Sequence, residues 1–206
     1  MLEKYLAYFK ERFPIWLALI CAGVLYYSTY FFTFLFSSSH SINQFDSLLT
    51  AATVFMILLH LRILDDYSDY ADDCIAHPER ALSRGIIILR NLRKLLIIIF
   101  LLEAAINLYL GTTQLLVWLA IIAWSFLMFK DFFVPDALTR RPSLFNLSHQ
   151  MVVPLICTYI FIQRVNILSL KGYELFYLLV FLFISLRLAA IYEVLRRITK
   201  VFSKDV

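Results

Sequence analysis

Glycine and proline are scarce in this sequence, four and five among 206 residues. The apolar runs between these few breakers do not alternate with polar residues as barrel strands do, which points to α-helices and away from a transmembrane β-barrel. Charge is also scarce. Asp, Glu, Lys and Arg make up 17% of the chain against 62% hydrophobic and 17% aromatic residues, and the mean hydropathy of +0.78 is far above that of a soluble domain. The three cysteines, Cys21, Cys74 and Cys157, are an odd number without metal-ligand spacing, and two lie in apolar runs where thiols pack as small hydrophobes. No basic patch interleaved with aromatic residues occurs in a soluble stretch. The net charge of +4 comes from residues spread between apolar runs, which fits membrane topology and no nucleic-acid partner.

The chain therefore reads as an all-α, polytopic membrane helical bundle. It is expected to be a single domain over residues 1–206, with about six transmembrane helices at 15–36, 45–64, 86–110, 115–129, 151–163 and 173–192. Before the first span, Leu2, Tyr5, Leu6 and Phe9 recur at helical spacing opposite Lys4, Lys10 and Arg12, the pattern of an anchor lying along the membrane interface up to Pro14. The run 15–36 is too long for a signal-peptide core and has no small-residue cleavage site, so its retention is expected. Lys and Arg gather at 4–12, 62–94, 130–141 and 196–204, are absent from 37–44 and 111–114, and number only Arg164 and Lys171 in the connection between the fifth and sixth spans. By the positive-inside rule both termini are expected in the cytoplasm. Within the spans, His60 is expected to hydrogen-bond across the bundle, and Glu103 and Asn107, one turn apart, to face its interior. His149 lacks a Cys or acidic neighbour at metal spacing and reads as a structural histidine.

The chemistry concentrates at residues 62–85, RILDDYSDYADDCIAHPERALSRG, where five acidic side chains stand at the end of the second span. On a helix of about 100° per residue, Asp66, Asp69 and Asp73 fall on one face, with Asp65 and Asp72 to either side. Such a cluster repels itself unless a cation sits among it. Carboxylates suit hard cations, and Mg²⁺ is commonly held by carboxylates together with substrate phosphates, so a Mg²⁺–diphosphate bridge is the expected ligand. Arg80 and Arg84 are candidates for the phosphate oxygens left free by the metal, because a guanidinium fork matches phosphate geometry.

This run resembles the first aspartate-rich motif of the UbiA superfamily of intramembrane prenyltransferases, N/D-D-x-x-D-x-x-x-D succeeded by a basic, proline-containing segment and a glycine. Asp65, Asp66, Asp69 and Asp73 take the four acidic positions, and HPERALSRG, residues 77–85, matches the basic segment and its glycine. The resemblance implies a helical membrane fold in which Mg²⁺ on Asp65, Asp66, Asp69 and Asp73 holds an isoprenoid diphosphate. It also implies catalytic roles for Asp66, Asp69 and Asp73 and transfer of the prenyl group to a lipophilic acceptor. WSFLMFK, residues 124–130, looks like the family's aromatic run ending in a basic residue and adds Lys130 to the diphosphate contacts.

The resemblance extends over about six of the family's nine helices. Where the family carries a second aspartate-rich motif, this sequence reads YEVLRRITK at 192–200, with Glu193 for the first aspartate and Arg197 for a later one. Arg197 there is expected either to contact phosphate directly or to neutralise the first motif. Two functions are compatible with this pattern: a Mg²⁺-dependent prenyltransferase, or a non-catalytic membrane subunit or scaffold that binds an isoprenoid lipid, a pigment or partner helices, including a second copy. A cation transporter fits less well, because no matching acidic pair recurs across the bundle.

Overall fold

The computed structural model describes residues 2–36, 39, 41–134 and 140–202, with the side chains of residues 2, 142 and 192–202 left outside the description. The described chain is helical apart from short connections. In order it runs α1 (Leu2–Arg12), α2 (Ile15–Phe32), α3 (Gln44–Ser68), α4 (Tyr70–Ala76), α5 (Leu89–Leu110), α6 (Thr112–Phe129), α7 (Pro142–Gln150), α8 (Val152–Phe161) and α9 (Gly172–Phe202). Among the described residues five segments are long and apolar enough to cross a membrane: Ile15–Leu35, Gln44–Ser68, Thr112–Phe129, Ser143–Phe161 and Gly172–Ile191. The chain is an integral, multi-pass membrane protein. The expected span at 86–110 is helical from Leu89, but Arg90, Arg93 and Lys94 occupy its first turns and Glu103 its middle, so its uncharged stretch is short. The expected span at 151–163 begins earlier, at Ser143. Its helix breaks at Met151 because Pro154, without an N–H, cannot continue the ladder from α7 into α8.

The chain forms two compact units, Met1–Ser28 with Ile42–Leu116, and Thr29–Ser41 with Val117–Val206. In the first, α3 packs along α5. Asn43 caps α3 by accepting the Phe45 N–H at 2.9 Å. The buried stripe of α5, Leu92, Leu96, Ile99, Glu103 and Asn107, follows the helical repeat and faces Val54, Ile57, His60 and Ile63. In lipid, apolar burial alone does not drive helices together, so close packing and polar pairs decide the register. His60 Nδ1 lies 3.0 Å from Glu103 Oε1, and Asn107 Nδ2 donates to the Glu103 carbonyl at 2.8 Å. Gly111, at φ +111°, closes α5 with a backbone conformation that a side chain would strain and lets α6 start at Thr112.

The second unit is built around α9, which packs on α7 and α8. Phe36, Phe161, Val165 and Leu178 form its core. The buried Arg164 donates to Thr33 Oγ1 at 3.1 Å and lies over the rings of Tyr30 and Phe34 at 4.5 and 4.3 Å, so its charge is met by a hydroxyl and two π-faces. Trp124 Nε1 donates to the Ser148 carbonyl at 3.1 Å and ties α6 to α7. His149 Nδ1 pairs with the Phe145 carbonyl at 2.9 Å, a structural role. Phe32, Leu35, Tyr177, Val180, Phe181 and Ile184 line an apolar groove of about 330 Å³.

Because Glu103 joins α5 to His60 of α3 inside the apolar unit, Glu103→Leu is expected to destabilise the protein by about 1–3 kcal/mol and Glu103→Gln by much less. Thermal unfolding in detergent micelles measures both. Equal stability of the leucine variant and the wild type would show that the pair does not hold the two helices.

Candidate functional site

The acidic motif lies where α3 leaves the first unit's apolar packing. Asp65 and Asp66 ride on the last turns of α3, which stops at Ser68. Asp69 takes φ −90° and ψ 3°, neither helical nor extended, while its N–H still bonds the Asp65 carbonyl at 2.9 Å. Asp and Ser side chains compete for nearby backbone groups, which explains a break within this run. Helix α4 then restarts at Tyr70 and carries Asp72 and Asp73. Asp66, Asp69 and Asp73 thus do not share one face of a continuous helix. Residues 77–88 return to α5 with Ala81, Leu82 and Ile87 buried, and Gly85, at φ +73°, makes the tight turn among them.

Asp66 is fully buried. Its Oδ2 accepts from the Tyr8 hydroxyl at 2.6 Å. Its Oδ1 accepts from Arg12 Nε at 2.8 Å, from Arg12 Nη2, and from Arg62 Nη2 at 2.5 Å. Asp73, 19% exposed, receives Arg12 Nη2 on Oδ2 at 2.9 Å and Arg80 Nη1 on Oδ1 at 2.6 Å. The result is a row of alternating charge: Arg62, Asp66, Arg12, Asp73, Arg80. Such a row settles the repulsion between the two acids without any added cation. Burial, followed by the charge of Asp66 and its hydrogen bond, pushes the Tyr8 phenol up. Burial alone would lower Arg12, but its bond to Asp66 and the charges of Asp66 and Asp73 outweigh that and raise it.

Helix α1 is held to the site along its length. Beyond Tyr8 and Arg12, Glu11 Oε2 accepts the Ala81 N–H at 2.7 Å, and the Phe13 ring meets Phe55 edge-on with centroids 5.5 Å apart. Tyr8 and Arg12 are four residues apart and therefore share a face of α1. That face turns inward, whereas Leu6, on the expected anchoring stripe, is exposed. The ordering energy is electrostatic: a buried carboxylate needs its cation more than the interface needs another leucine.

The remaining candidates are less engaged. Asp65 is 57% exposed and 3.9 Å from Arg62. Asp69 and Asp72 are exposed; loss of surrounding water and the charge of Asp73 push the Asp69 carboxyl up. Arg84 is exposed in the turn, while Arg80 is brought onto Asp73. Lys130 belongs to the second unit, where its Nζ lies over the Phe129 ring at 4.9 Å. Arg197 is on α9 with its side chain outside the described residues. Tyr8, Arg12 and Arg62 are the contacts that sequence reasoning missed; of these only Arg62, four residues before Asp66, carried a readable signal.

The donor set, as arranged, does not fit Mg²⁺. Both oxygens of Asp66 and both of Asp73 are taken by the chain's own donors. Among the described residues no three His, Cys, Asp or Glu side chains converge so as to hold a metal ion.

No family model matches the sequence. No curated protein matches it either. A solved structure of a digeranylgeranylglyceryl phosphate synthase superposes with a TM-score of 0.66 at 18% identity, covering 98% of this chain and 66% of its own. This likeness concerns the fold, and the chain spans less than two thirds of that synthase's length. The superposition shows that this chain shares the all-helical membrane fold of that synthase.

Proposed function

We propose that the chain is a UbiA-like prenyltransferase, moving a prenyl group from an isoprenoid diphosphate to a lipophilic acceptor at the mouth where α3 gives way to α4. The observation that carries this reading is the cluster of Arg12, Arg62 and Arg80 around Asp66 and Asp73 at the end of a membrane-crossing helix. Guanidinium forks match diphosphate oxygens, and they are most useful where negative charge develops. In the transfer the carbon–oxygen bond of the donor breaks and its electron pair leaves with the diphosphate. The acceptor's nucleophilic atom then bonds the allylic carbon and releases its proton. Arg80, on the outer end of the charged row, and the exposed Arg84 are proposed to receive the leaving diphosphate. Asp69, exposed and outside the row of charges, is proposed as the carboxylate that meets the substrate, alongside Asp66 and Asp73. Mg²⁺ is the proposed cofactor; when bound it neutralises phosphate charge. The proposed topology has both termini in the cytoplasm, supported by the placement of Lys and Arg.

A second reading is favoured by one specific observation: Asp66 and Asp73 are already neutralised by Arg12. Under it the chain is a non-catalytic subunit that retains isoprenoid-diphosphate binding. Incubation with a prenyl diphosphate and a panel of lipophilic acceptors, followed by mass spectrometry, separates the two. The transferase reading expects a prenylated acceptor, lost in Asp69→Ala; binding without any product would leave the subunit.

Two variants test the roles within the row. Arg80→Ala is expected to weaken prenyl-diphosphate binding roughly tenfold by isothermal titration in detergent, since one charge-assisted contact is lost. Unchanged affinity would remove Arg80 from the site. Asp66→Asn, which leaves Arg12 and Arg62 with a neutral partner, is expected to lower stability by about 3–5 kcal/mol. Asp69→Asn, an exposed change, is expected to stay within about 0.5 kcal/mol. Equal thermal shifts for the two would contradict the difference in burial.

A further inference from the structure

Two carboxylate oxygens, Asp66 Oδ1 and Asp73 Oδ2, reach the same nitrogen, Nη2 of Arg12. One of these acids is on α3 and the other on α4, so the guanidinium bridges the two sides of the helix break. A divalent cation bridging these two oxygens would stand where Nη2 stands, with shorter metal–oxygen distances of about 2.0–2.1 Å for Mg²⁺. The two cations cannot share that space. We propose that Arg12 is a built-in counter-ion occupying the metal's place: a divalent cation binds Asp66 and Asp73 only after Arg12 has left them.

The rest of α1 is arranged to keep Arg12 in position. Tyr8 holds the other oxygen of Asp66, one turn earlier on the same face. Glu11 holds the backbone of Ala81 beside Arg80, and Phe13 is packed on Phe55. The groups facing Arg12 are Asp66, Tyr8 and Asp73, with Arg62 and Arg80 bound to the same acids. Every carboxylate oxygen of the two acids already accepts at least one donor while this set is closed. By linkage, whatever favours the metal on these acids disfavours Arg12 there, and the reverse. This inference deepens the proposed function by giving its metal site a regulator, and it rests on that reading for the metal.

The test is a titration of the full chain in detergent micelles with Mn²⁺ as the probe, counting free ion by electron paramagnetic resonance and using no prenyl substrate. Arg12→Gln is expected to bind Mn²⁺ about tenfold or more tightly than the wild type, because a charge-assisted competitor has been removed. Adding Asp66→Asn to Arg12→Gln is expected to abolish the gain. Arg12→Lys, which keeps a charge but loses the fork that bridges two acids, should show a smaller gain in the same direction and serves if the glutamine variant does not fold. Equal affinity of wild type and both Arg12 variants would overturn the proposal alone. Absence of Mn²⁺ binding in every form would overturn it together with the metal-dependent part of the proposed function. A gain that survives Asp66→Asn would overturn it by locating the ion elsewhere. Failure to detect prenyl transfer leaves the titration unaffected, since no substrate takes part in it.

Discussion

A carboxylate with no access to water has to be matched by cations, and Asp66 is that carboxylate. Its position on the last turns of α3 determines which groups gather around it. Arg62 reaches it from one turn earlier, Arg12 and Tyr8 from α1, and Arg12 extends the neutralisation to Asp73 on α4. The N-terminal helix, the break at Asp69 and the loop that returns to α5 are all held by this one charge balance. Removing the acid would leave Arg12 and Arg62 short of their shared partner; removing Arg12 would leave Asp66 and Asp73 without the cation between them.

A second balance operates deeper in the same unit. His60 and Glu103 are both fully enclosed between α3 and α5. Lipid offers no hydrogen bonds, so two polar side chains on facing helices fix the register of a contact that apolar packing alone leaves free to slide. In the second unit Arg164 is handled differently, by a hydroxyl and two aromatic faces. In each case the position of a polar group in the membrane is explained by what answers it.

Much of this was readable in advance. Long apolar runs give the spans, because a helix that crosses lipid has few sequences open to it, and the inward face of Glu103 and Asn107 is a consequence of their spacing. The resemblance carried by the acidic motif pointed to the fold. The helix break at Asp69 was not readable, since five acids within nine residues suit a helix surface and a capped turn almost equally well by spacing alone. Arg12 was hidden for another reason. Counted with the polar residues of an interfacial anchor, it looks solvent-facing; its true partner is more than fifty residues away, and only the buried charge of Asp66 reverses the preference.

The charged row depends on the direct energetic coupling of Arg12 to Asp66. A double-mutant cycle with Arg12→Gln, Asp66→Asn and the two together, read by reversible unfolding in detergent micelles, measures it. The expected coupling is at least about 2 kcal/mol, with the double variant more stable than the sum of the single losses implies. Additive losses, with coupling near zero, would mean that the two side chains do not depend on each other and would contradict the central claim.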